Sequence, residues 1–230
     1  MIIGSGLIAT SFKRYADELQ GVCIFASGVA NSSCTDSKEF LREKILLEDT
    51  LAVIGENHQF AYFSTCSVHD PLLSSSAYVK HKLAMESIVL QRKRSHVFRL
   101  PQLAGNSKNT ATLLNYLSDS IENQSSIKIW SDAERNIIDV EDVASASLHY
   151  IKNCQDENIS ANVCNPHRRR VLDIVKTLEK IKNKTANVEV VEGGSYYDIP
   201  LGYTKEIYSE IGLSFPESYL EDVLRKYYSR

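Results

Sequence analysis

Features that mark specialised classes of protein are scarce in this chain of 230 residues. Its five cysteines are odd in number and include no CxxC pair, which argues against a disulfide framework or a zinc ribbon and indicates a reducing compartment. The formal net charge of −3 provides no basic footprint for nucleic acid. No apolar stretch is long enough to span a membrane, and no basic segment precedes the first apolar residues as in a signal peptide. We expect a cytoplasmic protein that binds neither nucleic acid nor membranes.

The order of the apolar runs predicts an α/β fold. Hydrophobic residues make up 43% and charged residues 24% of the chain, as in an ordinary globular protein. Over the first hundred residues, short apolar runs typical of strands alternate with amphipathic stretches typical of helices. The predicted strands span residues 2–3, 22–26, 60–64 and 97–100, and the predicted helices span 7–19, 38–54 and 77–91. This alternation indicates parallel βαβ units and a sheet covered by helices on both faces.

After Gly105 the pattern changes. Helices are predicted at 110–121, 140–152 and 172–181, with strands near 127–130 and 161–163. No internal repeat or low-complexity linker separates this part from the first. The sequence therefore predicts a single domain over residues 1–230, with a small lobe built mainly from 105–135 and 160–230.

A glycine motif lies between the first predicted strand and the first helix, in the segment Gly4-Ser5-Gly6-Leu7-Ile8-Ala9. A GxGxxA at this place allows a tight turn and a close approach of the backbone to a dinucleotide pyrophosphate. The alternative is a tight βα turn without any ligand. The second predicted strand ends at Ala26-Ser27 without the acidic residue that holds a ribose, which counts against ordinary NAD binding.

Tyr78 and Lys82 form a YxxxK pair, and on a helix they share a face. An ammonium beside a phenol lowers the phenol pKa from about 10, so the tyrosine can exchange a proton while a hydride moves. Upstream, a predicted strand ends in the hydroxyl cluster Ser64-Thr65-Cys66-Ser67, at the sheet edge where ligands bind. A serine-rich turn is the alternative interpretation of this cluster.

Six segments, in the right order, give the chain a specific resemblance to the extended short-chain dehydrogenase/reductase group, the NAD-dependent epimerase/dehydratase family. They are residues 2–9, Ile24-Phe25-Ala26-Ser27, Phe63-Ser64-Thr65-Cys66-Ser67-Val68-His69, residues 78–82, Arg99-Leu100-Pro101-Gln102-Leu103-Ala104-Gly105 and residues 129–143. The resemblance implies a Rossmann-like fold. It also identifies Phe25-Ala26-Ser27 as the family's fourth strand, so that the second and third strands, on the adenosine side of the cofactor pocket, are predicted to be absent.

The resemblance also implies a role for each matched residue. Thr65 would bind the sugar carbonyl or hydroxyl, Tyr78 would be the acid/base, and Lys82 would orient the nicotinamide ribose. Arg135 would hold the diphosphate of a nucleotide sugar through its planar fork, unless it forms an ion pair with Asp139 or Asp142. The implied cofactor-binding residues are Gly4, Gly6, Leu7, Ile8, Ala26, Ser27, Ser64, Lys82 and Pro101, and the implied substrate-binding residues are Thr65, Gln102 and Arg135.

The function implied is an NAD(P)-dependent reductase or epimerase of a nucleotide-activated sugar, serving surface polysaccharide synthesis. Dehydration is disfavoured because Cys66 and Ser67 stand where the family's dehydratases carry an acid pair. The alternative is a non-catalytic or regulatory sugar-nucleotide-binding protein that binds NAD or NADP weakly or not at all. The six histidines show no metal-ligand spacing, so no metal is expected. The resemblance leaves a homodimer open.

Overall fold

The computed structural model describes residues 1–107 and 109–229. Its strands are β1 Ile2–Ile3, β2 Val22–Phe25, β3 Gln59–Thr65, β4 Ser95–Leu100, β5 Gln102–Ala104, β6 Ser126–Trp130, β7 Glu134–Asp139, β8 Ile159–Asn162, β9 Arg168–Arg170 and β10 Asn187–Val191. Its α-helices are α1 Leu7–Phe12, α2 Ser37–Val53, α3 Ala77–Leu90, α4 Leu113–Glu122, α5 Val140–Asn153, α6 Val171–Lys182, α7 Thr204–Glu210 and α8 Tyr219–Tyr228.

The central sheet has five strands in the order β1-β2-β3-β4-β8, and every neighbouring pair is parallel. The predicted parallel α/β fold is therefore confirmed. Strand β1 is an edge strand, because within the described residues no strand pairs with its other side. Residues 1–107 and 109–229 contain no strand beyond β1 in this sheet, as the sequence predicted.

Alternate residues of the strands supply two cores, one on each face of the sheet. One face packs against α1 and α5 and buries Phe12, Ile24, Phe63, Phe98 and Val143. The other face packs against α2 and α3 and buries Phe25, Leu47, Tyr62, Met85 and Val97. Because both faces are covered, β1, β2 and the middle of β3 are apolar at successive positions instead of alternating with polar residues.

The helices begin at side-chain caps that the sequence supplies. The Asp36 carboxylate accepts from the Lys38 N–H at 2.8 Å before α2, and the Ser76 hydroxyl accepts from the Val79 N–H at 3.2 Å before α3. The first helix differs from the prediction of a helix over 7–19. Its α-helical part ends at Phe12 and continues as a 3₁₀ helix over Lys13–Glu18, which turns more tightly and brings Leu19 into the core beside Phe12.

The β1–α1–β2 connection and the β2–α2–β3 connection have opposite handedness. Chain order runs in one direction across β1, β2 and β3, yet α1 lies on one face and α2 on the other. Two crossovers that move the same way with their helices on opposite faces have opposite hands. One of them therefore departs from the right-handed rule for parallel crossovers.

A second layer of structure forms around the carboxyl edge of the sheet. Strands β6 and β10 pair in parallel, and β7 lies between β5, to which it is parallel, and β9, to which it is antiparallel. Helices α4, α6 and α8 pack with these strands around a core of their own that includes Leu117, Ile127, Ile174 and Leu224. Strands β5, β7, β9 and β10 were not predicted, because each is short or lies in a region without a clear period.

Candidate functional site

A crevice opens at the carboxyl ends of β1, β2 and β3. The chain leaves β1 toward one face of the sheet and leaves β2 toward the other, which separates the segments that follow these two strands. This divergence is the geometry in which open α/β sheets bind ligands. The crevice holds a cavity of about 260 Å³, with the central sheet on one side and the second layer on the other.

The glycine turn forms one wall of the cavity. Gly4 has φ of +116°, and a Cβ built on it would lie 2.3 Å from the Ala26 carbonyl oxygen, so no other residue fits there. A Cβ built on Gly6 would meet nothing within 4 Å, and Gly6 faces the cavity. Of the predicted cofactor-binding residues in this region, Gly6, Leu7, Ile8 and Ala26 line the cavity. Gly4 and Ser27 do not; Gly4 instead packs its backbone against Ala26.

Thr65 and Tyr78 lie together in the cavity wall. Thr65 ends β3, its hydroxyl oxygen accepts from the Ser67 N–H at 3.1 Å, and its side chain lies near the Tyr78 hydroxyl. Burial raises the pKa of Tyr78 to about 12; the nearby Thr65 side chain opposes this rise and the Glu43 carboxylate adds to it. The expectation that Lys82 lowers the pKa of this phenol is therefore wrong for the structure as it stands.

Lys82 lines the cavity but is only 2% exposed. Its ammonium donates to Glu43 Oε1 at 3.0 Å, to the Tyr62 hydroxyl at 3.0 Å and to the Phe63 carbonyl at 3.4 Å. Burial lowers the pKa of Lys82, and the Glu43 carboxylate acts against this shift. All three ammonium hydrogens thus have acceptors inside the protein, a finding that the YxxxK motif did not predict.

Glu43 is a functional-site residue that the sequence analysis missed. It lies on α2 with no exposed surface and accepts hydrogen bonds from Val29 N–H at 2.7 Å, Tyr62 hydroxyl at 2.6 Å, His81 Nε2 at 3.0 Å and Lys82. Burial by itself would raise the pKa of this carboxyl, but these donors and the Lys82 charge outweigh it and hold the pKa well below its usual range. The available signal was an acidic residue within an apolar helical stripe, three residues after Phe40 and four before Leu47.

Ser64 contributes to the cavity wall, but its hydroxyl points to a second buried acid. It donates to Glu86 Oε1 at 2.5 Å, and Glu86 in turn receives a two-pronged contact from Arg99, with Nη2 to Oε2 at 2.6 Å. This network joins α3 to β3 and β4. The Ser64 hydroxyl, like the Lys82 ammonium, was predicted to bind the cofactor but is hydrogen-bonded to other groups of the protein.

Pro101, predicted to bind the cofactor, and Gln102, predicted to bind the substrate, both line the cavity, whereas Arg135, also predicted to bind the substrate, does not. Arg135 Nη1 donates to the carbonyls of Glu134 at 2.7 Å and Ser195 at 3.1 Å. It makes neither of the ion pairs offered as its alternative role; Asp139 pairs with Lys226, and Asp142 accepts from Tyr219.

Tyr197 is a second phenol in the cavity lining, and the sequence analysis did not predict it as a site residue. Burial raises its pKa to about 12, and the nearby Ser67 side chain acts against this rise. Cys66, the neighbour of Ser67, is buried, and burial raises its thiol pKa well above the ordinary value, so it is a packing residue and not a thiolate nucleophile. No cluster of His, Cys, Asp and Glu suited to a metal exists within the described residues.

Fold, crevice and the Thr65–Tyr78 pair define a Rossmann-like α/β protein. A family model described as the NAD dependent epimerase/dehydratase family matches residues 13–164. The chain therefore belongs to the NAD dependent epimerase/dehydratase family, as its motifs predicted. The matched segment starts after the glycine turn and ends with β8 and the two residues that follow it. No curated protein sequence matches the chain.

Solved structures with the same fold include several sugar-nucleotide proteins. RMD from Pseudomonas aeruginosa complexed with NADPH superposes with a TM-score of 0.76 at 17% identity, covering 97% of this chain and 95% of RMD. UDP-glucuronic acid 4-epimerase from Bacillus cereus, in complex with UDP-glucuronic acid and NAD, gives 0.71 at 18% identity over 93% of this chain and 76% of its own. The dTDP-glucose 4,6-dehydratase of Bacillus anthracis gives 0.67 at 17% identity, over 96% and 76%. In the described part of this chain, no helix has the length and apolar character needed to cross a membrane.

Proposed function

We propose that this protein is an NAD(P)-dependent reductase or epimerase that acts on a nucleotide-activated sugar in the cytoplasm and serves surface polysaccharide synthesis. The observation that carries the proposal is that the Thr65 and Tyr78 hydroxyl side chains lie together in the wall of the cavity. Membership of the family supports redox chemistry, and the RMD and UDP-glucuronic acid 4-epimerase structures contain NADPH and NAD respectively.

The residues around the cavity fit the nicotinamide half of such a cofactor. Gly6 leaves open space above the βα turn, and Leu7, Ile8 and Ala26 add an apolar wall next to it. The adenosine half has no wall beyond β1, because β1 is the edge strand of the sheet within the described residues. When bound, the nicotinamide would supply or accept the hydride.

The protein's own part in the reaction is proton transfer and orientation. The Tyr78 hydroxyl would pass a proton to or from the sugar oxygen while Thr65 donates a hydrogen bond to the same oxygen. Because burial raises the pKa of Tyr78 to about 12, the phenol is protonated at neutral pH and serves first as a proton donor. That direction suits reduction of a ketone.

The substrate would lie between the sheet and the lobe formed mainly by 105–135 and 160–230. Gln102 and Tyr197 line the cavity on this side. Arg135 would bind the diphosphate of the nucleotide sugar through Nε and Nη2, because its bonds to the Glu134 and Ser195 carbonyls use the hydrogens of Nη1. A homodimer is part of this proposal only by analogy with the family.

The second candidate is a non-catalytic sugar-nucleotide-binding protein. The committed hydrogen bonds of Lys82 favour it, since this ammonium has no donor left for a ribose without giving up one of its acceptors. Within the described residues, the lack of a wall beyond β1 for the adenosine half of a dinucleotide also favours the binding protein.

The two candidates are separated by turnover once a ligand is found. Thermal unfolding with NADH, NADPH and a series of UDP- and dTDP-linked sugars identifies ligands, because a compound that binds the folded state raises the Tm. Reduction is then followed by loss of NAD(P)H absorbance. We expect Tyr78→Phe to bind ligands as the wild type does and to lose turnover by ~10²–10⁴-fold.

Tyr116→Phe is the matched control, since Tyr116 lies on α4 with 45% exposure and does not line the cavity. Turnover that survives in Tyr78→Phe contradicts the assignment of the proton donor. Ligand binding without any turnover in the wild type supports the binding protein instead.

A further inference from the structure

Glu43 is the most deeply buried ionised group near the cavity, and the proposed reaction gives it no role. It has no exposed surface, and both carboxylate oxygens are saturated. Oε1 accepts from Tyr62 and Lys82, and Oε2 accepts from Val29 N–H and His81. A carboxylate with four donors arranged around it is fixed in position as well as in charge.

Stability alone is a weak explanation for this group. Taking a carboxylate and an ammonium out of water costs about as much as their attraction returns, and apolar residues of similar size often serve as well or better. The Glu43–Lys82 pair is held between α2, α3 and β3, where leucine or methionine would pack. Holding Lys82 at a defined place is a function that would explain this ion pair.

The three contacts of Lys82 are unequal. The bonds to Glu43 and Tyr62 measure 3.0 Å, whereas the bond to the Phe63 carbonyl measures 3.4 Å and is the weakest. The backbone closes over this group at Gly28, where an added Cβ would lie 2.6 Å from Lys82 Nζ and 2.8 Å from Glu43 Oε1. Gly28 and Lys82 both line the cavity, so the ammonium lies at its floor.

We propose that Glu43 is a positioning residue that acts through Lys82. With Tyr62, it fixes two of the three hydrogens of the ammonium and leaves only the one directed at Phe63 to exchange for a hydroxyl of a bound ligand. The ligand class that suits one donor at this depth is a sugar ring with vicinal hydroxyls, such as the ribose of a nicotinamide nucleotide. This inference rests on the proposed function for its ligand, but not for the contact between Glu43 and Lys82.

The first test needs no ligand. Lysine reactivity is measured by reductive methylation of the folded protein, followed by peptide mass spectrometry. Glu43→Gln keeps the shape and removes the charge, and we expect the methylation rate of Lys82 to rise by ~10-fold or more because its anchor is weakened. Glu48→Gln, an exposed acid on the same helix that pairs with Lys44, is the control and leaves Lys82 protected.

Lys182 is the internal standard for general loss of structure, because its side chain is only 6% exposed and does not line the cavity. A higher methylation rate at Lys82 without a higher rate at Lys182 supports the proposal, and an unchanged methylation rate at Lys82 overturns it. If both rise in Glu43→Gln, the variant is loosely folded. Glu43→Asp, which keeps the charge but shortens the reach, then replaces it, with the same criterion.

The second test asks whether Glu43 acts through Lys82 in binding. Dissociation constants for NADPH are measured by calorimetry for wild type, Glu43→Gln, Lys82→Met and the double variant. We expect each single variant to bind ~10-fold more weakly and the double variant to bind no worse than Lys82→Met. Independent, additive losses overturn the proposal. If the wild type does not bind NADPH, the proposed function fails while the methylation result still decides the role of Glu43.

Discussion

His96 is a fully buried imidazole in β4, with its Nε2 3.2 Å from Gln59 Oε1 and with no partner for Nδ1 in the described residues. Burial lowers its pKa to about 4, so the folded protein holds it neutral at pH values where the unfolded chain protonates it. The folded pKa lies below the unfolded value of about 6.5. The contribution of neutral His96 to the free energy of unfolding is thus fully present above pH 6.5 and is lost as the pH falls toward 4.

We expect the free energy of unfolding to fall by ~3 kcal/mol between pH 7 and pH 4 on account of His96. Urea denaturation at intervals across this range measures the loss. His96→Gln should remove most of the slope between pH 6.5 and 4, whereas His58→Gln, at an exposed position, should keep it. Equal slopes in wild type and His96→Gln would sink this assignment. Below pH 4.5 a further loss is expected, because the unfolded chain protonates Glu43 while the folded protein, which holds its pKa low, keeps it ionised.

For single residues, the sequence predicted which hydroxyl groups lie together but not which charged groups pair with each other. Thr65 and Tyr78 were predicted from a strand end and a helical motif, and both lie in the cavity wall. The pairing of Lys82 with Glu43 was not, because it joins residues on two helices through a buried site whose geometry no spacing encodes. Arg135 was assigned by motif alone, and its contact with Ser195 depends on where a distant segment folds back.

The turn from β1 into α1 shows that two glycines in one motif have separate physical reasons. Gly4 is required by its positive φ and by the approach of the Ala26 carbonyl. Gly6 has φ of −75° and open space around it, so the fold does not require glycine there. Space for a ligand is the remaining reason for the second glycine.

Alanine substitutions should separate these two roles. Gly4→Ala is expected to lower the free energy of unfolding by ~2 kcal/mol or more, because backbone must move to admit the Cβ. Gly6→Ala should change it by less than ~0.5 kcal/mol, and should weaken binding of NADH or NADPH by reducing the space at the turn. Denaturant unfolding and calorimetry supply the two measurements. A strong loss of stability in Gly6→Ala would show that the second glycine is structural.

Elements with a strong period were predicted to within a few residues, and those held by distant partners were not. Helices α2, α3, α5 and α6 follow the predicted spans closely because their apolar spacing and caps are local properties. Strands β5 and β9, three residues each, exist because β7 pairs with them from elsewhere in the chain. The 3₁₀ segment after α1 likewise depends on the packing of Leu19 and not on helix propensity.

The whole molecule is a Rossmann-like fold whose sheet ends at its first strand. The edge position of β1 removes the support on which the adenosine half of a dinucleotide would rest. We therefore expect the adenosine half to add little binding free energy. Reduced nicotinamide mononucleotide should bind within ~10-fold of NADH, a difference of about 1.4 kcal/mol. NADH and NADPH should differ by less, because within the described residues no strand lies beyond β1 whose end could distinguish the ribose 2′ position.

Calorimetry with the three nucleotides on one preparation tests this expectation. A dissociation constant for NADH that is several hundredfold tighter than that of the mononucleotide would contradict it. That outcome would place an adenosine-binding surface on the α1 side or on a partner molecule. The enzyme proposal would then stand with its cofactor bound in a different manner from the one inferred from the sheet.

The order of the central sheet also bears on how the chain reaches this structure. Strands β1 to β4 pair with their immediate chain neighbours, and only β8 joins after the long excursion through the second layer. Contacts between near neighbours cost little loop-closure entropy and form early, whereas distant ones form late and slowly. Pulse-labelling hydrogen exchange during refolding should show amides of β2, β3 and β4 protected before those of β8. The first hundred residues would then be the folding nucleus on which the rest of the protein assembles.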